Sequence, residues 1–188
     1  MALIGGSKIR LKGIEKLDKK INYIFTANHQ SFADIPVLFG FIPFYNVFIA
    51  KKSLFYIPFF GWGIAAMGHI AINRSNPKKA KRSIARAIES IKLKNKSVFA
   101  FPEGTRSRTG ELGEFKLGIF SMAIQAEIDV VPIAIVGTRE IMPKGSYYFQ
   151  SGNVDVYFGT PISSNKFKKS EKYKMSQEAR QQIKAMLK

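Results

Sequence analysis

Cysteine is absent from this 188-residue chain, which removes disulfides, thiolate metal sites and a cysteine nucleophile from consideration. Histidine is almost as rare. His29 and His69 are the only two, too few for a His-rich metal centre, so no metal is expected. Acidic residues are scarce as well, with 13 Asp and Glu against 30 Lys and Arg. No G-x-S-x-G elbow occurs, so a serine hydrolase has no visible nucleophile. Gly113 to Gly118 opens like a P-loop, but Ile119 and Phe120 stand where Lys and Ser/Thr are required. The start, Met1 to Ser7, meets Lys8 and Arg10 too soon to be a signal peptide.

What is present is an apolar, basic chain of a length that defaults to a single domain spanning 1–188. Hydrophobic residues make up 46%, including 16 Phe, which argues for a packed core and against disorder. The formal net charge of +17 calls for a negative partner. Nucleic acid, anionic lipid and acidic or phosphate-bearing molecules all qualify, and charge alone does not choose among them. No helix-turn-helix, zinc-finger or RNA-binding aromatic signature accompanies the charge, so nucleic acid is not the expected partner and a basic nucleic-acid-binding module is the alternative reading.

From Ile35 to Asn73 the only Lys, Arg, Asp or Glu residues are Lys51 and Lys52. Ser53 to Asn73 has the length of a membrane span, yet Pro58, Gly61, Gly63 and Gly68 interrupt it. The expectation is a core or interfacial segment. Phe55, Tyr56, Phe59, Phe60 and Trp62 are candidates for insertion at a membrane surface beside lysines.

Ile21 to Ala27 reads as a buried strand ending at Asn28 and His29. Pro36 is tolerated only in a first helical turn, so a helix should begin near Ala33 or Asp34. Val47–Ala50, His69–Asn73, Ser97–Phe101, Val130–Ile135 and Val154–Phe158 are further strands. Asn76 as N-cap, Pro77, and a stripe of Ala80, Ile84, Ala87, Ile88 and Ile91 mark a helix. Another runs from about Lys116 to Ala126, and a basic helix closes the chain at about 170–188. This alternation predicts an α/β fold, a single domain with a mixed, mainly parallel sheet flanked by helices. Ligands of such folds gather at the carboxyl ends of the strands, where His29, Arg74 and Glu103 to Arg106 all fall.

Two strings carry the chemistry. In Asn28-His29-Gln30-Ser31-Phe32-Ala33-Asp34, an i, i+5 pair would lie about 140° apart within a helix. With His29 in the turn and Asp34 at the helix mouth, the carboxylate can instead reach back to one imidazole nitrogen and aim the other at substrate. In Phe101-Pro102-Glu103-Gly104-Thr105-Arg106, the strand ends at Pro102. Gly104 permits close approach of a ligand, and Arg106 can grip phosphate oxygens bidentately. His69, on an apolar strand, reads as a satisfied core or pocket histidine.

In four ordered blocks over about 13–161 the chain resembles the 1-acylglycerol-3-phosphate (lysophosphatidate) acyltransferase family, with its glycerol-phosphate acyltransferase-like fold. Asn28 to Asp34 resembles the catalytic H-x₄-D block, and Ala50 to Phe55 through Ile72-Asn73-Arg74 the acceptor-side block. Phe101 to Arg106 resembles the phosphate-binding E-G-T-R block, and Val131 to Ile135 the fourth. The resemblance implies His29 as general base and Asp34 as its orienting partner. Lys51, Arg74 and Arg106 become candidates for the acceptor's phosphate, with Gln30, Ser31, Glu103, Gly104 and Thr105 as further substrate-binding candidates. It implies acyl transfer from acyl-CoA or an acyl-carrier protein to lysophosphatidate in phospholipid biosynthesis, without a resident cofactor. Another lysolipid, or glycerol phosphate, is the alternative acceptor. The expected location is peripheral, on the cytoplasmic face of an anionic membrane. Asn73 departs from the family, standing where many relatives carry Asp. The chain also opens almost directly on the catalytic domain, without the apolar N-terminal anchor common in relatives, so either a truncation or another mode of attachment is expected.

Overall fold

The structure, a computed structural model, describes residues 2–4, 6–73, 77–94, 96–143, 145–146 and 148–188. Its centre is β3 (Ile24–Ala27), an apolar strand buried at every position. It pairs in parallel with β6 (Ser97–Ala100) on one side and β7 (Val130–Val136) on the other. Buried along nearly their whole length, the three strands are near-continuous apolar runs, broken only by Thr26 and Ser97, as a parallel interior favours.

Beyond β6 the sheet continues through β4 (Asn46–Lys51) to β5 (Ile70–Ile72), both parallel to it. Beyond β7 it reverses. There β8 (Asn153–Phe158) is antiparallel to β7, β2 (Ser7–Lys12) is parallel to β8, and β1 (Ala2–Ile4) closes the edge. The order is β1-β2-β8-β7-β3-β6-β4-β5. The expected mixed, mainly parallel sheet is what forms, with β1 and β2 as additions that the sequence reading missed.

Helices cover both faces. On one side α1 (Asp34–Phe41) buries Val37 and Leu38 against Phe25, Phe99 and Ile133. On the other, α3 (Pro77–Lys94), α4 (Gly118–Ala126) and α6 (Lys172–Met186) pack on Ile24, Val98 and Ala134. In α3, Ile84, Ala87, Ile88 and Ile91 face that core as their spacing predicts. The cap expected at Asn76 lies outside the described residues.

The abundant phenylalanine has a specific use. Phe25 stacks on Phe99 at 4.6 Å, Phe99 on Phe48 at 5.4 Å, and Phe48 faces Phe101 at 6.2 Å. Each aromatic pair of this kind contributes about 0.5–1.5 kcal/mol beyond the area it buries. The ladder crosses β3, β6 and β4 on one face and ends beneath His29, whose ring lies 3.9 Å from that of Phe101.

The segment expected to be core or interfacial contains α2 (Phe60–Ala66) between a short 3₁₀ turn and β5. No helix among the described residues is long and apolar enough to cross a membrane. His69 takes the structural place expected for it. Its Nδ1 accepts the Phe48 N–H at 3.2 Å, and burial, with Lys96 nearby, holds its pKa below the ordinary 6.5.

Candidate active site

Because β3 to β7 are parallel, their carboxyl ends share one edge of the sheet. His29 follows β3, Lys51 ends β4, Glu103 to Arg106 follow β6, and Gly137 follows β7. Arg74, expected beside them, lies outside the described residues. Asn73 donates its backbone N–H to Ser83 Oγ at 3.4 Å.

The first motif is built around Asp34, which is wholly buried at the start of α1. Its Oδ2 accepts from His29 Nδ1 at 2.7 Å and from the backbone N–H groups of Gln30 at 2.8 Å and Ser31 at 2.9 Å. Its Oδ1 accepts the Thr138 hydroxyl at 2.6 Å. With Nδ1 engaged as donor, the imidazole presents Nε2 as a proton acceptor. Asn28 fastens the turn to β7, donating to the Ile135 carbonyl at 2.9 Å and accepting the Ile135 N–H at 2.7 Å.

The second motif closes over the first. Glu103 Oε1 accepts the His29 backbone N–H at 2.8 Å, and Oε2 accepts the Gly113 N–H at 2.9 Å. Burial pushes the Glu103 carboxyl above the ordinary value of 4.5, while those two N–H groups pull the other way. The His29 carbonyl accepts from the Ser107 N–H at 2.8 Å. The guanidinium of Arg106 lies over the Phe32 ring, 3.5 Å from its centroid. Gly104, at φ +75°, holds the turn open where Lys116 crosses it, and a Cβ there would meet the Lys116 ammonium at 2.8 Å.

Two expected substrate contacts turn inward instead. Ser31 is fully buried, and its hydroxyl donates to the Met142 carbonyl at 2.6 Å and accepts from the Ala33 N–H. Glu103 accepts backbone N–H groups with both carboxylate oxygens. A carboxylate anchored between two amides holds the histidine's backbone in place. Thr105 and Lys51 are exposed, and Gln30 and Arg106 are half-buried.

Sequence reasoning missed Thr138, Arg139 and Arg180. Arg139 donates to the carbonyls of Thr109 at 2.5 Å and Arg108 at 3.0 Å, and Arg180 to those of Leu112 and Gly113 at 3.1 Å. Together they pin the long loop after the second motif. Beside Phe101 and Gly104 an apolar cavity of about 240 Å³ runs between Ile49, Ile84, Ile119 and Met122, with Lys116 on its lining. A fixed imidazole, a stacked guanidinium and an apolar cavity thus adjoin. That set can take a proton from a hydroxyl, hold an oxyanion such as a phosphate and shelter a hydrocarbon chain.

Comparison with known proteins points the same way. Residues 8–136 match the Acyltransferase family. The chain is 40% identical over 161 residues to a chloroplastic 1-acyl-sn-glycerol-3-phosphate acyltransferase of Arabidopsis thaliana, covering 85% of this chain and 45% of that one. It is 35% identical over 185 residues to the 1-acyl-sn-glycerol-3-phosphate acyltransferase of Saccharomyces cerevisiae, covering 97% and 61%. The crystal structure of the 1-acyl-sn-glycerophosphate acyltransferase PlsC from Thermotoga maritima superposes with a TM-score of 0.75 at 31% identity, covering 95% of this chain and 73% of that one. The chain thus spans about half the length of the plant relative and 61% of the yeast one.

Proposed function

The chain belongs to the Acyltransferase family, and from that premise we propose that it acylates the free hydroxyl of lysophosphatidate to give phosphatidate, using acyl-CoA or an acyl-carrier protein as donor. The observation that carries this reading is the imidazole held at Nδ1 by a buried carboxylate, directly under the Arg106 loop.

His29 Nε2 takes the hydroxyl proton as the oxygen attacks the thioester carbonyl, forming a tetrahedral intermediate. Asp34 stabilises the imidazolium that results. Collapse breaks the C–S bond, the proton passes from Nε2 to the departing sulfur, and ester and thiol leave. A base so placed contributes ~10²–10⁴-fold in rate. Arg106, backed by Phe32, and Lys51 hold the acceptor phosphate. The apolar cavity takes a fatty acyl chain.

Membrane attachment fits an exposed apolar face. Phe32, Ile35 and Phe39 share one side of α1 and its approach, and Phe59 and Trp62 flank the start of α2. Phe59 is 80% exposed with its backbone at φ 60°, ψ −55°, and the Phe60 N–H bonds back to the Pro58 carbonyl. This tight turn is strained for a non-glycine residue, and its effect is to hold an aromatic ring out into the surroundings. From Ile35 to Ile88 the chain has no Asp or Glu, so the face suits an anionic bilayer. Of the five aromatics expected to insert, Tyr56, Phe59, Phe60 and Trp62 are exposed and Phe55 is half-buried. Attachment is peripheral, on the cytoplasmic leaflet where such thioesters are available.

The test is release of free thiol from acyl-CoA and from acyl-carrier protein against a panel of lysophosphatidate, other lysolipids and glycerol phosphate. Lysophosphatidate-dependent release that His29→Ala abolishes, in a variant that still folds, supports the reading. Release independent of acceptor, or full turnover by His29→Ala, overturns it.

A further inference from the structure

At the end of β7 the chain turns on Gly137, at φ +93°, where a Cβ would run into the Asn153 carbonyl of β8. The next two residues go opposite ways. Thr138, wholly buried at the start of α5 (Thr138–Ile141), donates its hydroxyl to Asp34 Oδ1 at 2.6 Å. Arg139 reaches outward and donates to the carbonyls of Arg108 and Thr109, in the loop that carries Arg106. A few residues later the Met142 carbonyl accepts the Ser31 hydroxyl at 2.6 Å. One short segment therefore holds both motifs.

We propose that the Gly137-Thr138-Arg139 turn is a positioning element that sets the two halves of the site in register, with Thr138 as the outer member of a His29–Asp34–Thr138 chain. This rests on the acyl-transfer reading and adds residues to it. Three donors crowd Oδ2 of Asp34, whereas Oδ1 takes the Thr138 hydroxyl. Removing that hydroxyl leaves a buried carboxylate oxygen short of a donor, so the carboxylate turns to recover one. Turning it moves Oδ2 away from His29 Nδ1, and the imidazole loses its aim. Arg139 acts on the other half. Without it the Arg108 and Thr109 carbonyls are released and the Arg106 loop loses its outer tie, while the histidine keeps its own.

The two residues therefore separate kinetically. Thr138→Val keeps the shape and removes the donor, and it should lower kcat about tenfold with acceptor KM unchanged, as expected for a group acting on the transition state. Thr138→Ser restores the donor and should return kcat to within about twofold. Arg139→Gln should raise acceptor KM several-fold and leave kcat nearly intact. A purely structural role predicts instead that Val and Ser variants lose melting temperature and activity in parallel, or that both kinetic constants move together. Either result overturns the proposal.

A second readout needs no turnover. With only two histidines in the chain, the ring N–H resonances of substrate-free protein are assignable by nuclear magnetic resonance. The His29 Nδ1–H signal should move in Thr138→Val, return in Thr138→Ser and stay in place in Arg139→Gln. Thr138→Ala removes the same donor without new bulk should the Val variant fail to fold. An unmoved His29 signal in a folded Val or Ala variant refutes the chain. A moved signal in a protein that transfers no acyl group leaves the positioning element standing and removes the acyl-transfer reading instead.

Discussion

Arg106 lies over Phe32, its guanidinium 3.5 Å from the ring centroid, so the cation of the second motif rests on an aromatic of the first. The stack prepays the ordering of a long side chain.

Phe32→Leu is expected to keep the apolar contact, lose the stack and raise acceptor KM about 2–10-fold, the span of a cation–π interaction of roughly 0.5–1.4 kcal/mol. Arg106→Lys should do the same or more, because an ammonium cannot reproduce the planar fork. Initial rates over a range of lysophosphatidate concentrations decide it; an unchanged KM in both variants removes Arg106 from the phosphate site.

Glu103 gives a prediction in pH. Burial raises its carboxyl above 4.5 in the folded state. An acid whose folded value is raised favours folding most below its ordinary value and loses that contribution as pH rises through the folded one. Glu103→Gln abolishes this titration. Wild-type stability minus variant stability should therefore decline as pH climbs from 4.5, read by denaturant melts at a series of pH values. Activity should fall as well, because an amide cannot accept both the His29 and Gly113 N–H groups.

His69 has the opposite sign. Its folded value is depressed below 6.5 by burial and by Lys96, so the unfolded chain takes up the proton first as pH drops. Its contribution is present above 6.5 and lost on acidification below it. His69→Asn should make the melting temperature less sensitive to acid below that point while acyl transfer at neutral pH persists. Equal acid sensitivity in both proteins contradicts the assignment.

The outward face makes a prediction about lipid. Phe59→Asp and Trp62→Asp place charge at two exposed aromatics whose rings pack edge to face at 5.2 Å. Each should sharply reduce co-sedimentation with vesicles rich in phosphatidylglycerol and leave the melting temperature within about 2 °C, because surface changes cost little stability. Sedimentation that matches wild type excludes this face as the docking surface.

Much of this was legible in the chain itself. The runs at β3, β6 and β7 are apolar because both faces of a parallel strand are covered, and Pro36 placed the start of α1 within a residue. The pairing of His29 with Asp34 followed from the turn between them. Other parts left no local mark. Ser7–Lys12 lies near the sheet edge and is buried on one side only, so its lysines and arginine leave just two apolar residues to mark a strand. Thr138 belongs to no motif, and its partner is 104 residues away. Ser31 and Glu103 lie within the two motif strings, which is why the resemblance marks them as substrate contacts. In the fold their polar atoms are engaged by backbone groups from Met142, His29 and Gly113, partners that no local pattern announces.

The central strand is flanked by neighbours that the ribosome makes much later, since β3 lies between β6 and β7. A nascent chain that has not yet released β7 carries His29 and Asp34 but lacks the Ile135 partner of Asn28 and the Thr138 hydroxyl on Asp34. A chain cut before Gly137 keeps His29 and Asp34 yet lacks β8 and the Thr138 hydroxyl that Asp34 accepts, so it is expected to be inactive, which a thiol-release assay of that truncation checks.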